Sequence, residues 1–106
     1  YVVAGGDFNQ SFSNADLSKY PQIDEWRCSV IDVGEYPDFT FCMDDRVPTC
    51  RSLARTYYDS DKSSHQYYML DGFIVSPNIT VNSIETLDYG FKNSDHNPVL
   101  ISVNLG

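Results

Sequence analysis

Two short segments near opposite ends of the chain, Gly6-Asp7-Phe8-Asn9 and Ser94-Asp95-His96-Asn97-Pro98, hold side chains that could do chemistry. A third, Leu70-Asp71-Gly72-Phe73, sets an acid at the start of an apolar run. An Asp at a strand tip can bind a metal or orient an attacking water. An Asn can donate its amide to a phosphate oxygen without adding negative charge. Imidazole takes or gives a proton near neutral pH, and in its protonated form it stabilises charge developing on phosphorus-bound oxygens. His96 needs a partner to fix its tautomer, and Asp71 is the candidate. Three acids, an Asn and a His outline a site for hydrolysing phosphate esters with a divalent metal. Clustered carboxylates repel one another and favour a hard, oxygen-ligated cation, Mg²⁺ or Mn²⁺.

Each motif also has a plain structural reading. Asp7 and Asn9 share one side of a strand end only if extended geometry persists. A Gly-Asp turn whose Asp and Asn bond to their own backbone satisfies the same letters. A His beside an Asp is commonly a surface pair. The chemistry therefore depends on elements that bring residues 7, 71 and 96 together.

Those elements read mostly as strands. Tyr1 to Ala4 is a short apolar strand running into Gly5-Gly6 and a tight turn. Ser11 to Lys19 is polar, a short helix or ordered loop ending at Pro21. Ile23 to Ile31 is open between helical spacing (Ile23, Trp26, Val30) and a strand beginning at Cys28. Asp38 to Met43 is a short strand or loop. Tyr67 to Ser76 reads as a strand, with Gly72 marking a bulge or a close backbone approach. Thr80 to Tyr89 and Val99 to Val103 read as strands flanking a loop that carries His96. The order is mostly β with one or two helical segments, an α+β pattern.

A length of 106 residues, 42% of them hydrophobic, allows one modest core. The 15 acids against 7 bases leave a net charge of −8, which disfavours tight non-specific binding to a phosphate backbone. No apolar run approaches the roughly 18 residues that a membrane-spanning helix needs. The three cysteines, at 28, 42 and 50, show no CxxC spacing, and both histidines stand far from them in sequence. Buried free thiols are expected ahead of a zinc site or a disulfide. The chain opens as a strand already under way, so the expectation is a cut inside a domain.

Gly-Asp-Phe-Asn followed by Ser-Asp-His-x-Pro resembles the endonuclease/exonuclease/phosphatase superfamily, which includes pancreatic deoxyribonuclease, abasic-site endonucleases, neutral sphingomyelinases and inositol-polyphosphate 5-phosphatases. The resemblance covers only the second half of that domain. It implies a four-layer α/β sandwich of which residues 1–106 form the C-terminal part, mainly one β-sheet with a few short helices. It further implies that Asp7 orients the nucleophilic water and binds metal, that Asn9 positions the phosphate, and that Asp71 holds and polarises His96. His96 would contact the scissile phosphate, and Asp95 would be a metal ligand or an electrostatic partner. Mg²⁺ or Mn²⁺ is the implied cofactor and a phosphate ester the implied substrate. The family's upstream metal-binding Glu has no counterpart here, so the chain alone is expected to be inactive and to need the N-terminal half. Its bare sheet face would otherwise invite self-association. Gly72 stands where many relatives have an aromatic residue, with Phe73 the candidate to restore that packing. The alternative is a non-catalytic phosphate-binding or interaction domain of the same fold.

Weaker signals surround these. Arg46, Arg51 and Arg55 could contact phosphate or be solvated surface charges. Tyr57, Tyr58, Tyr67 and Tyr68 are expected to pack rather than to stack a base or sugar.

Overall fold

β-Branched and aromatic residues between polar turns account for the strands Asp71–Val75, Ile79–Thr86 and Val99–Leu105. The computed structural model describes residues 1–106. In chain order the strands are β1 (Val3–Asp7), β2 (Gln10–Phe12), β3 (Ser29–Ile31), β4 (Thr40–Cys42), β5 (Cys50–Arg51), β6 (Tyr67–Tyr68), β7 (Asp71–Val75), β8 (Ile79–Thr86) and β9 (Val99–Leu105). Helical structure is limited to two 3-10 segments, Val33–Glu35 and Asp59–Ser64. The coarse α+β reading therefore stands at its β-rich end. Instead of mainly one sheet, the strands form a three-stranded antiparallel sheet in the order β1-β7-β4 and three two-stranded ribbons. β2 pairs with β3 in parallel, β5 with β6 antiparallel and β8 with β9 antiparallel, the last with a bulge between Val81 and Ser83.

Side-chain to backbone bonds explain where local expectations give way. Ser11 to Lys19 forms no helix beyond the end of β2, because its polar side chains serve other backbone groups. Ser13 Oγ accepts from the Val33 amide at 3.0 Å, Asn14 donates to the Phe41 carbonyl at 3.0 Å, and Asp16 turns back onto Ser18. Between Ile23 and Ile31 the strand alternative holds, over Ser29–Ile31. The buried Gln66 side chain takes the Asp24 amide at 2.7 Å and donates to the Trp26 carbonyl at 2.9 Å, so those groups are not free for a helical ladder. The expected Tyr67–Ser76 strand splits at Met69-Leu70. There Thr49 Oγ1 accepts from the amides of Leu70 at 2.8 Å and Asp71 at 3.2 Å, and the chain leaves β5 for β1 and β4.

Gly72 sits at a close approach, as its place in the strand suggested. A Cβ there would lie 2.6 Å from the Cys42 carbonyl oxygen and 3.1 Å from the Phe12 ring. Phe73, one residue on, lies over Gly5 of β1 and fills the face that glycine leaves bare. Phe12, Phe41, Val75 and Leu70 anchor the small core. The molecule is a slab of 45 × 26 × 17 Å with a radius of gyration of 14.4 Å. A compact globule of this length has a radius of about 13 Å. Only 20 of 106 residues are buried, and Val3, Leu100 and Leu105 lie exposed on β1 and β9.

Candidate functional site

The register of β1 on β7 sets Asp7 directly opposite Asp71. Facing like charges destabilise a sheet unless something lies between them. His96 does, arriving from the connection between β8 and β9. Its Nδ1 lies 2.8 Å from Asp71 Oδ2, and its Nε2 lies 3.6 Å from Asp7 Oδ2. The first distance is a charge-assisted hydrogen bond, and the second is too long for one.

The connection is held by backbone pairing to the edge of β5. The Arg51 amide donates to the Asp95 carbonyl at 2.9 Å, the Asn97 amide donates to the Thr49 carbonyl at 2.8 Å, and His96 bridges Cys50 between them. The buried Asn97 side chain donates to the Pro48 carbonyl at 2.9 Å and accepts from the Tyr89 amide at 3.1 Å. Thr49 therefore sits behind both partners: its hydroxyl accepts from the amide of Asp71, and its carbonyl anchors the residue after His96. Neither Thr49 nor Asn97 stood out as a positioning residue in the sequence. The Asn-Pro step was the one signal that pointed to Asn97.

Charge and burial set the protonation. Burial acts to lower the pKa of His96. The hydrogen bond to Asp71 and the charges of Asp71, Asp7 and Asp95 outweigh it, so the ring holds its proton more tightly than an ordinary histidine. Burial raises the carboxyl of Asp71, with the bond to His96 opposing in part. The state this favours is an imidazolium donating from Nδ1 to a carboxylate. Burial, reinforced by the charges of Asp95, Asp71 and Asp7, pushes the Cys50 thiol up to about 12, so it is a neutral thiol. Its Sγ lies 3.5 Å from His96 Nε2.

Four of the five expected residues meet at one place. The ligand atoms of Asp7, Asp71 and His96 lie within 4.8 Å of one another, as do those of Cys50, Asp95 and His96. His96 belongs to both groups, and Asp95 stands on its Cys50 side. Asn9 departs from expectation. β1 ends at Asp7, and Asn9 is left-handed at φ 53°, a conformation Asn tolerates, so strand alternation does not put the two on one side. Instead the Asn9 amide donates to Asp7 Oδ1 at 2.7 Å, which is the turn reading of this motif. Asn9 still lines an open cleft of about 750 Å³ together with Trp26, Cys50, Arg51, Asp95 and His96.

Of the three arginines between Asp44 and Thr56, Arg46 is held by Asp44 at 2.8 Å and Arg55 by Asp24 at 2.7 Å. Arg51 has no carboxylate partner. Its guanidinium lies 5.0 Å from the Tyr57 ring centre, and its Nε finds no protein acceptor. Tyr67 and Tyr68 are buried in β6 as packing residues, and Tyr58 is exposed. All three cysteines are free, Cys42 and Cys50 buried and Cys28 half-buried. Their distance from histidine in sequence does not persist in space, since Cys50 touches His96.

Two groups of side chains can thus hold a metal ion. For a hard cation the carboxylates of Asp7 and Asp95 fit by type. The two belong to different clusters, and Asp71 is engaged by His96, so either carboxylate leaves most of an octahedral shell to other oxygens. No family model, curated protein or solved structure matches this chain.

Proposed function

We propose that the chain is the C-terminal half of a metal-dependent phosphoesterase domain of the endonuclease/exonuclease/phosphatase type. Its substrate is a phosphodiester or phosphomonoester of a nucleic acid, a phospholipid head group or a sugar or inositol phosphate. The observation that carries this reading is the pairing of Asp71, at the start of β7, with His96, whose Nε2 has no oxygen acceptor within hydrogen-bond reach and has the carboxylate of Asp7 beside it.

Asp71 accepts from Nδ1 and keeps the ring charged and fixed in orientation. Nε2–H, too far from Asp7 to be spent on it and facing only the weak sulfur acceptor of Cys50 at 3.5 Å, can donate to a phosphoryl oxygen instead. Asp7, its side chain 46% exposed, accepts a proton from the attacking water and so aims it. Asn9 offers an uncharged donor at the rim of the cleft. Asp7 in one cluster and Asp95 in the other would each offer a carboxylate to Mg²⁺ or Mn²⁺, which when bound supplies charge neutralisation at the phosphoryl oxygens. The slab shape and the bare apolar residues of β1 and β9 support a second layer supplied by the N-terminal half of the same domain. Without that layer the same face promotes self-association.

The test is hydrolysis of bis(p-nitrophenyl) phosphate in Mg²⁺. The 106-residue chain is expected to turn over poorly, and the full-length protein well. In the latter, His96→Ala should cost about 10²–10⁴-fold with the thermal melt unchanged. Asp7→Asn should cost at least as much. Wild-type activity surviving both substitutions would end the assignment. Inorganic phosphate perturbing the His96 ring with no turnover in either protein would leave the binding-domain reading in its place.

A further inference from the structure

The second group around His96 uses a donor that the phosphoesterase reading leaves idle. We infer that Cys50, Asp95 and His96 form a binding site for a thiophilic divalent cation, Zn²⁺, at Nε2 of the imidazole. The site rests on its own geometry and stands whatever reaction the molecule performs.

Three observations carry it. The first is separation. Tetrahedral zinc with Zn–S of about 2.3 Å and Zn–N of about 2.0–2.1 Å holds its sulfur and nitrogen ligands about 3.5 Å apart. Cys50 Sγ and His96 Nε2 are 3.5 Å apart, and the Asp95 carboxylate falls within 4.8 Å of both. The sulfur and the nitrogen already stand at the spacing that zinc requires, and the carboxylate is within reach of both.

The second is orientation. A zinc-ligating histidine ordinarily donates its other ring N–H to a carboxylate, which fixes the tautomer and makes the ligating nitrogen more basic. His96 does this through Nδ1 to Asp71 at 2.8 Å, which leaves Nε2 turned toward Cys50. Asp71 is then a positioning residue for the metal.

The third is preorganisation. Cys50 and His96 are paired as a β-bridge, and the Asp95 carbonyl is pinned by the Arg51 amide at 2.9 Å. The three ligands therefore sit on two backbone segments already bonded to each other, so little chain entropy is lost on binding. Cys50, Asp95 and His96 all line the 750 Å³ cleft, which supplies an access route and room for a water as fourth ligand. Donor type sets the choice of metal. One thiolate and one imidazole select zinc over Mg²⁺ or Ca²⁺. On binding, the thiol proton of Cys50 and any proton on Nε2 pass to solvent, and the sulfur lone pair goes to the metal.

Cobalt(II) is the probe, because a cobalt–thiolate bond absorbs strongly in the near ultraviolet and Zn²⁺ displaces the ion silently. The purified chain should take up one Co²⁺ with that absorption and lose it to stoichiometric Zn²⁺. Cys50→Ser should abolish the band, whereas Cys28→Ser, which removes a thiol outside the cluster, should keep it. Asp95 sits in a half-buried loop position, so Asp95→Asn keeps the fold and should weaken Zn²⁺ at least about tenfold. Asp71→Asn should weaken it about 10–100-fold through the ring. A wild-type chain without the thiolate band, or a band that survives Cys50→Ser, overturns the site. So does unchanged zinc affinity in Asp95→Asn, which decides the matter even where Cys50→Ser does not fold.

Discussion

Replacing Asp71 by Asn tests the link on which the active-site reading turns. The side chains have nearly the same shape, and the amide oxygen can still accept from His96 Nδ1 at the present 2.8 Å, so the ring stays where it is. What goes is the charge. A hydrogen bond to a charged group contributes about 1.5–3 kcal/mol and a neutral one about 0.5–1.5, so the loss on the imidazolium side is roughly 1–2 kcal/mol. At 1.36 kcal/mol per tenfold, the turnover proposed for the full-length protein should fall roughly 5–30-fold, well short of the cost of His96→Ala. Global stability should move less, because the substitution also removes the penalty of burying a carboxylate directly opposite Asp7.

The pH dependence gives a readout that a merely structural role would not move. In the wild type the His96 pKa is raised above the ordinary 6.5. Its protonation therefore adds stability in full below that value, and the contribution is lost as pH rises through the folded value. In Asp71→Asn the His96 pKa falls, since burial keeps its lowering effect while the strongest opposing influence is gone, and this component of the pH slope shrinks. Proton NMR titration of the ring, with urea unfolding at about pH 6 and about pH 9, measures both. A His96 titration unchanged by the substitution would refute the claim that Asp71 controls the proton.

Other outcomes follow from single contacts. Gly72→Ala places a methyl 2.6 Å from the Cys42 carbonyl oxygen, where ordinary contact begins at 3.4 Å, so β4 and β7 must part. The overpacking should cost about 1–3 kcal/mol and lower the melting temperature by about 5–20 °C, and an unchanged melt would rule out the close approach. Asp44, buried between the Arg46 side chain and the Thr86 amide at 2.7 Å, has its pKa lowered. Burial alone would raise it, but its hydrogen bonds and the Arg46 charge win. Its stabilisation is present above the ordinary 3.8 and is lost as pH falls through the lower folded value. Asp44→Ala should therefore flatten acid unfolding and cost about 1–3 kcal/mol at neutral pH by orphaning the Thr86 N–H, measured by urea denaturation. Zinc should slow Mg²⁺-dependent hydrolysis by occupying Nε2, with a chelator restoring the rate. Cys50→Ser should lose that sensitivity and keep the turnover.

Much of the site was legible before any coordinates. The need of an imidazole for an oriented tautomer made Asp71 a candidate partner of His96, the family resemblance implied the same pair, and strand ends were the natural places for the polar motifs. The strands at 71–75, 79–86 and 99–105 follow from β-branched alternation, which a pleated surface accepts locally. The elements that went astray are those whose local preference was overruled from far away. Gln66 and Thr49 take up backbone groups of segments distant from them in sequence, and no window around Ile23 or Met69 contains that information.

The sequence by itself determined a β-rich chain, its reactive residue types and their order, because side-chain chemistry and period-two patterning are local properties. Only the tertiary structure decided that Asp7 and Asp71 face each other across a strand pair, since register depends on pairing over long range. For Asn9 it selected the turn on Asp7 over the extended strand, two readings that the sequence left open. It also set Cys50 against His96, 46 residues away, through one bridge between the edge of β5 and a loop. Contacts of that separation are made by chain topology and backbone hydrogen bonding, which spacing along the sequence does not encode.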